Sequence, residues 1–418
     1  MNAPGLPAAP LDLTVGAPAA GGACVARAPD GRVVFVRHAL PGERVLAQVT
    51  GAASSYLRAD AVSVRSPSEH RVPPPCPHAG PGRCGGCDWQ HVVVPHQRLL
   101  KAALVEEQLR RLAGVAREVL VEEVPGAPDG LGWRTRVQFA ASAQGELGLH
   151  RHRSHELERV DVCPIAAPGV TAVGAPQASW PGASVVEVAC SADGAQRVVS
   201  VTGRRRGAAA PPGELAAGLV CDGRPVRSPH GLRHEVLGRA FDVSAGGFWQ
   251  VHPGAPEALA RAVLEGLAPR AGDRVVDLYA GAGLFAALLG DAVGPTGSVL
   301  AVEGDRRAAA DCARNTADLR QVRVRCLAVD EALIAHRVGR PDLVVLDPPR
   351  AGAGLAVTGA LARLRPRRLA YVACDPASFA RDLRVLLDDG WSLASLRAFD
   401  AFPMTEHVEL VAVLDAPA

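Results

Sequence analysis

A thiol, a carboxylate and a glycine turn are the parts of this chain best placed to do chemistry. Cys374 closes the apolar run Tyr371-Val372-Ala373-Cys374-Asp375-Pro376. A strand ending in this way puts a thiol at the carboxyl edge of a sheet, where open α/β folds gather their ligands. That is where a nucleophile belongs. Glu409 follows in Phe402-Pro403-Met404-Thr405-Glu406-His407-Val408-Glu409. Taken singly, a buried inert cysteine and a surface glutamate are the commoner cases; beside a cofactor site they become a nucleophile and its acid/base partner. Such a site is marked by Asp277-Leu278-Tyr279-Ala280-Gly281-Ala282-Gly283, because Gly-x-Gly after a strand lets the backbone approach a ligand closely. Glu303, ending the next strand, is placed to accept hydrogen bonds from a ribose diol, and Asp347-Pro348-Pro349-Arg350 ends the fourth. The third glycine of the dinucleotide fingerprint is missing, which favours S-adenosylmethionine. Asp330, after the third strand, would reach the adenine or stand as a solvated loop aspartate.

The elements that must position these groups change texture along the 418 residues. The segment 1–12 is expected to be a flexible N-terminus without a secretory signal. From 13 to 70, short β-rich runs at 32–36, 44–49 and 59–64 are separated by Gly, Pro and Asp turns and punctuated by Arg37, Arg44, Arg58 and Arg65; this predicts a small barrel suited to single-stranded nucleic acid. The stretch 71–245 opens with a cysteine-rich loop, continues with a helix over 97–112 and becomes a β-rich central domain. From 246 to 418, strands predicted at 274–278, 299–302, 322–328, 343–346, 369–373, 393–398 and 408–414 alternate with helices at 284–289, 306–318, 357–364 and 376–387. Such alternation predicts an α/β fold with a parallel, doubly wound sheet.

Composition excludes a membrane span, since no apolar run approaches the ~18 residues required. The formal charge is only +2, from 45 basic and 43 acidic residues, with Lys101 the sole lysine. A soluble, cytoplasmic, monomeric protein is expected. Ten cysteines in such a chain argue for metal binding or catalysis at a few of them rather than a disulfide framework. Cys76, Cys84 and Cys87 follow a C-x7-C-x2-C spacing, and Cys163 lies in Asp161-Val162-Cys163-Pro164. Four thiolates can bind zinc or an iron-sulfur cluster, and spacing does not choose between them.

The chain resembles the RNA uracil-5-methyltransferases that carry an N-terminal TRAM domain. The resemblance covers nearly the whole length and rests on marks in the family's order: Phe35-Val36 with Pro41-Gly42-Glu43-Arg44-Val45, Cys84-Gly85-Gly86-Cys87-Asp88-Trp89-Gln90-His91, Phe248-Trp249-Gln250-Val251, Asp277 to Gly283, Asp347 to Arg350, Cys374 to Asp382, and His407-Val408-Glu409. It implies a Rossmann-like class I methyltransferase sheet, an OB-like TRAM barrel and a central β-rich domain. It further implies that Gln250, Tyr279, Glu303, Asp330 and Asp347 contact the cofactor, together with Gly281 and Gly283, and that Arg134 and Arg136 contact RNA. Cys374 would attack C6 of uracil, Glu409 would remove the C5 proton, and Cys76, Cys84, Cys87 and Cys163 would carry a [4Fe-4S] cluster rather than zinc. The presence of both barrel and cysteine cluster resembles the branch acting on 23S ribosomal RNA more than the tRNA branch. Three positions depart from the family pattern: Asp375 stands for the usual Asn, Leu284 for an often polar residue and His252 for Asn. A carboxylate beside the thiol raises its pKa unless it is paired or points away. A cytosine-C5 methyltransferase and an RNA-binding assembly factor with weakened turnover are the alternatives.

Overall fold

Burial alternates along the first strands, as a sheet with one dry face requires. In the computed structural model, which describes residues 9–417, β1 (Leu11–Thr14), β2 (Pro18–Ala19), β3 (Ala23–Arg27), β4 (Val33–Arg37), β5 (Arg44–Ala52) and β6 (Tyr56–Ser66) form one sheet in the order β1-β5-β6-β4-β3-β2. Three register shifts between β5 and β6 bend the pair. The sheet curls round its own core of Leu13, Val34, Val36, Val45, Leu57 and others. The outer strands β1 and β2 do not pair with each other among the described residues. The expected N-terminal tail lies partly outside the described residues. Its last part is not loose: Leu11 and Asp12 already belong to β1, and Arg44 holds Asp12 at 2.9 Å.

Helix α1 (Val94–Gln108) and strand β7 (Val121–Glu123) come next. A second sheet follows, formed by β8 (Arg136–Ala141), β9 (Leu147–His150), β10 (Leu157–Glu158), β11 (Ala183–Cys190), β12 (Arg197–Gly203), β13 (Gly218–Cys221) and β14 (Arg224–Arg227), with the short helix α2 (Pro168–Thr171) against β11. The hairpin of β15 (Gly231–Val236) and β16 (Arg239–Ser244) then leads through α3 (Ala255–Leu267) into the third sheet.

That sheet contains β17 (Arg274–Leu278), β18 (Ser298–Glu303), β19 (Val322–Cys326), β20 (Leu343–Leu346), β21 (Arg368–Ala373), β22 (Ser392–Asp400) and β23 (Glu409–Asp415), interleaved with α4 (Leu284–Val293), α5 (Arg306–Asn315), α6 (Glu331–Arg337), α7 (Leu355–Leu364) and α8 (Pro376–Asp388). Its order is β19-β18-β17-β20-β21-β23-β22-β7. The first five strands are parallel, as expected, whereas β23 inserts antiparallel between β21 and β22. The doubly wound alternation is therefore broken at the end by a hairpin.

Two boundaries shift from the sequence-based division. Residues 94–123, expected in the central domain, are built into the third sheet's body: β7 pairs with β22, and Ala102, Val105 and Leu109 share a core with Leu346, Phe379 and Leu410. Val236, Phe241 and Val243 of the β15–β16 hairpin likewise pack with Leu259, Phe285 and Leu289. Apolar burial drives both placements, because these faces find no other core. Among the described residues no helix is long and apolar enough to cross a membrane.

Candidate active site

Strand register alone brings the chemical groups together. Leu278 aligns with Val302 and with Leu346, and Leu346 with Tyr371, so Tyr279, Glu303 and Asp347 leave adjacent strand ends on the carboxyl side. On the antiparallel side, Ala373 pairs with Leu410. Cys374 and Glu409 are the next residues beyond this last pair, and the Glu409 charge acts on the thiol. A thiol and a carboxylate 35 positions apart in sequence thus become neighbours.

The glycine turn is strained where a ligand would be cradled. Tyr279 adopts φ +62°, a left-handed conformation that β-carbon sterics disfavour. Gly281 has φ +55°, and a Cβ there would meet nothing within 4 Å, so it borders open space. Its N–H donates to Glu303 Oε2 at 2.8 Å, while Glu303 Oε1 accepts from Asp305 N at 2.7 Å. Gly283 is also closely packed on its other side: a Cβ would come within 2.8 Å of Cys312 Sγ. The open cradle at Gly281, flanked by a carboxylate on the next strand, fits an adenosyl group carrying a ribose diol.

Electrostatics at the thiol are dominated by burial. Desolvation pushes Cys374 up to about 12, and the charges of Glu409 and Asp347 add to this, whereas the Arg350 guanidinium pulls it down. Glu409 is 3% exposed and raised well above the usual carboxylate range by burial, then by Asp347. Its Oε2 has no hydrogen-bond partner. Asp347 rises to about 7, again through burial. A buried, unpartnered carboxylate facing a thiol is costly unless a substrate supplies its partner.

Asp375 is turned away from this repulsion. It is the N-cap of α8, its Oδ1 accepting from Ser378 N at 2.7 Å, and its effect on Cys374 is the smallest of the four charges. The Asp-Pro-Ala-Ser order is a helix start, with Pro in the first turn, and such a cap contributes about 1 kcal/mol. The carboxylate that the sequence set beside the thiol accepts the Ser378 N–H of the helix it begins.

The segment carrying Glu409 is fastened from three directions. Lys101 on α1, fully buried, donates to Asp400 Oδ1 at 2.5 Å and to Phe402 O at 2.9 Å. One turn earlier, Gln97 accepts from Met404 N at 2.8 Å and donates to Trp89 O and Val92 O. The N–H groups of Asp88 and Trp89 in the cysteine-rich loop both donate to Met404 O at 3.0 Å. From the first sheet, Gly21 and Gly22 donate to Glu406 Oε2 at 2.5 and 2.9 Å. Gly22 must be glycine, since a Cβ would overlap Asp88 Cβ at 2.3 Å and φ is +67°.

Other expected site residues distribute differently. Gln250 is half-buried in a segment anchored by Trp249, which stacks on His234, and by Thr135, which donates to Val251 O. Asp330 is exposed and caps α6, accepting from Leu333 N at 2.7 Å. Leu284 packs in the core at the start of α4. His252 is buried beside Trp133, and Gly254 N donates to its Nδ1. Arg136 is ion-paired with Glu187. Arg134 lies over the Trp133 ring and faces Cys163 and Cys87. Cys76, Cys84, Cys87 and Cys163 line one cavity of about 620 Å³. Among the described residues no group of three or more Cys, His, Asp or Glu is arranged to hold a metal ion. Arg350, Gln97, Lys101 and Glu406 had no role assigned from sequence. Only Arg350, inside Asp-Pro-Pro-Arg, carried a local signal.

Comparison with known proteins places this geometry. Residues 11–62 match the TRAM domain model, and residues 263–416 match the model described as tRNA (Uracil-5-)-methyltransferase. An uncharacterized RNA methyltransferase of Streptomyces avermitilis is 47% identical, over 97% of this chain and 98% of that protein. The 23S rRNA (uracil(1939)-C(5))-methyltransferase RlmD of Pseudomonas fluorescens is 32% identical, over 93% of this chain and 90% of that protein. The crystal structure of Pyrococcus abyssi tRNA (uracil-54, C5)-methyltransferase in complex with S-adenosyl-L-homocysteine superposes with a TM-score of 0.73 at 20% identity, covering 96% of this chain and all of that one, and shares the fold. The chain belongs to the TRAM-domain-containing RNA uracil-5-methyltransferase family, whose members are S-adenosylmethionine-dependent enzymes.

Proposed function

We propose that the chain methylates C5 of one uridine in RNA, in 23S ribosomal RNA rather than tRNA, through a covalent adduct on Cys374. The observation that carries this reading is the buried, unpartnered Glu409 carboxylate on the strand paired with the thiol's own. Uracil C5 is a weak nucleophile, so the ring must first be activated. Cys374 loses its proton to water and adds to C6; the S–C6 bond forms and the electron pair gathers at C5, which takes the methyl. When bound, S-adenosylmethionine supplies that methyl on a sulfonium whose positive charge also favours the thiolate. Glu409 then removes the C5 proton, the C5–C6 double bond re-forms and the S–C6 bond breaks. A raised pKa suits Glu409 to this step, because a carboxylate that burial makes more basic takes a proton more readily than a solvated one.

Tyr279, Gly281, Gly283, Glu303 and Asp347 would hold the methyl donor, with Gln250 approaching from the segment before α3. The uridine must be single-stranded or flipped out to reach a thiol at the sheet edge. The relation to ribosomal RNA rests on the relatives named for 23S rRNA, which match nearly end to end at 32–33% identity. Incubation with labelled S-adenosylmethionine and unmodified 23S rRNA, followed by digestion to nucleosides, should yield labelled 5-methyluridine. Labelled 5-methylcytidine would support the cytosine alternative, and no labelled nucleoside the assembly-factor one.

The four cysteines at one cavity suit a [4Fe-4S] cluster, which spreads its thiolates more widely than one zinc ion does. Gln90 braces them, accepting from Cys76 N and donating to Cys87 Sγ at 3.3 Å. Cys87 also packs near Met404, whose carbonyl the following residues hold. Anaerobically purified protein is expected to be brown, with about four iron and four sulfide per chain. Stoichiometric zinc without iron would contradict the cluster.

A further inference from the structure

A cavity of about 980 Å³ lies away from the thiol, on the face of the third sheet under α6. Its floor is apolar, formed by Val276, Leu300 and Val302. It is open because α6 has only seven residues and covers part of the sheet where a full crossover helix would cover it all. Its rim carries Arg274, Arg320, Arg323, Arg325, Arg337 and Arg340, and among the described residues no acidic one lines it. Arg274 is paired with Asp342. The other five are exposed and have no acidic partner among the described residues. In a chain with 45 basic and 43 acidic residues, this is a pronounced local separation of charge.

Edge protection is the simpler account of Arg323 and Arg325, because β19 is an edge strand and charges there discourage strand addition. It does not reach Arg320, Arg337 or Arg340, which come from flanking turns and the end of α6 yet face the same cavity. Five unpaired guanidinium groups around one groove make a polyanion site, and arginine's planar fork matches phosphate oxygens. The groove ends at Leu327, whose N–H donates to Glu303 O at 3.0 Å, so its mouth adjoins the cofactor cradle. From β19 to β21 it is four strand spacings, about 19 Å, across the sheet to Cys374.

We infer that this groove binds the phosphate backbone of the RNA substrate, at nucleotides remote from the methylated base. The inference rests on RNA being the substrate and adds a docking surface outside the first sheet and the active site. Phosphate contacts position a substrate and carry its salt dependence without reading sequence.

The test compares the full-length protein with its Arg323→Ala/Arg325→Ala/Arg337→Ala variant and with the corresponding triple Arg→Lys variant. Binding is measured by fluorescence anisotropy across a salt series, using single-stranded RNAs of about 10 to about 80 nucleotides. Long RNAs should bind the alanine variant about 10- to 100-fold more weakly at low salt. Their log–log salt slope should be shallower by about 2, at ~0.7 per lost contact. The lysine variant should keep the slope, and short RNAs and S-adenosylmethionine should bind all three proteins alike. An unchanged long-RNA slope in the alanine variant would overturn the groove, as would equal losses for short and long RNA. Absence of salt-dependent RNA binding by the wild-type protein would remove the RNA reading itself, and the groove with it.

Discussion

Cys374→Ala should lower turnover by at least about ten-thousandfold, the scale seen when a covalent nucleophile is removed, and should abolish capture of RNA as a denaturant-stable adduct. S-adenosylmethionine binding should persist, because the cradle at Gly281 and Glu303 is built by other strands. Full activity in this variant would remove Cys374 from the mechanism. Glu409→Gln provides the complementary state: the adduct forms, and without a proton acceptor it accumulates. Gel-shifted RNA–protein species should therefore be absent in one variant and enriched in the other. The thiol's reactivity in the protein alone follows from its charge environment. With burial, Glu409 and Asp347 holding Cys374 up to about 12, the thiolate is a small fraction at neutral pH. Between about pH 6 and pH 9 the fraction rises tenfold per unit, since the whole window lies below the pKa. Alkylation of the Cys374 peptide by iodoacetamide, followed by mass spectrometry, should show that slope; a plateau near pH 8 would contradict it.

Lys101→Met should destabilise the protein by about 3–5 kcal/mol, the range for leaving one partner of a buried ion pair without its counter-charge. Both groups are inside, Lys101 at 0% and Asp400 at 2% exposure. The ammonium also satisfies Phe402 O. Burial lowers the lysine's pKa, while the Asp400 charge beside it opposes that shift. Adding Asp400→Leu should recover a large part of the loss, because an apolar pair of similar volume is close to neutral relative to a buried ion pair. The urea unfolding midpoint reads both effects, and a single variant as stable as wild type would refute the argument. Turnover should fall in Lys101→Met as well, since Asp400 to Phe402 lead directly into the segment that places Glu409.

Different parts of the architecture were legible to different degrees. The strands of the third sheet could be read from alternating apolar runs and their helices, because parallel strands buried on both faces leave that signature. The sheet order could not. Inserting β23 between β21 and β22 is a long-range choice, and periodicity is the same for either orientation. Helix α1 was visible as a leucine-spaced helix, yet its membership of the third sheet's body was hidden, since an amphipathic face shows that something covers it and not what.

The residues around the thiol show the same division. Sequence by itself determined that a cysteine ends one strand, that a glycine turn and Glu303 end two others, that a helix begins at Pro376, and that the matched motifs belong to one family. Each is set by residue types within a few positions, where propensity, turn chemistry and capping act. Tertiary structure decided the rest: that Glu409 comes beside Cys374, that the sole lysine is a buried clamp, and that arginines spread from 274 to 340 share one groove. Those outcomes depend on strand order and on desolvation. Both arise only when distant segments bury one another, so no local window of the chain contains them.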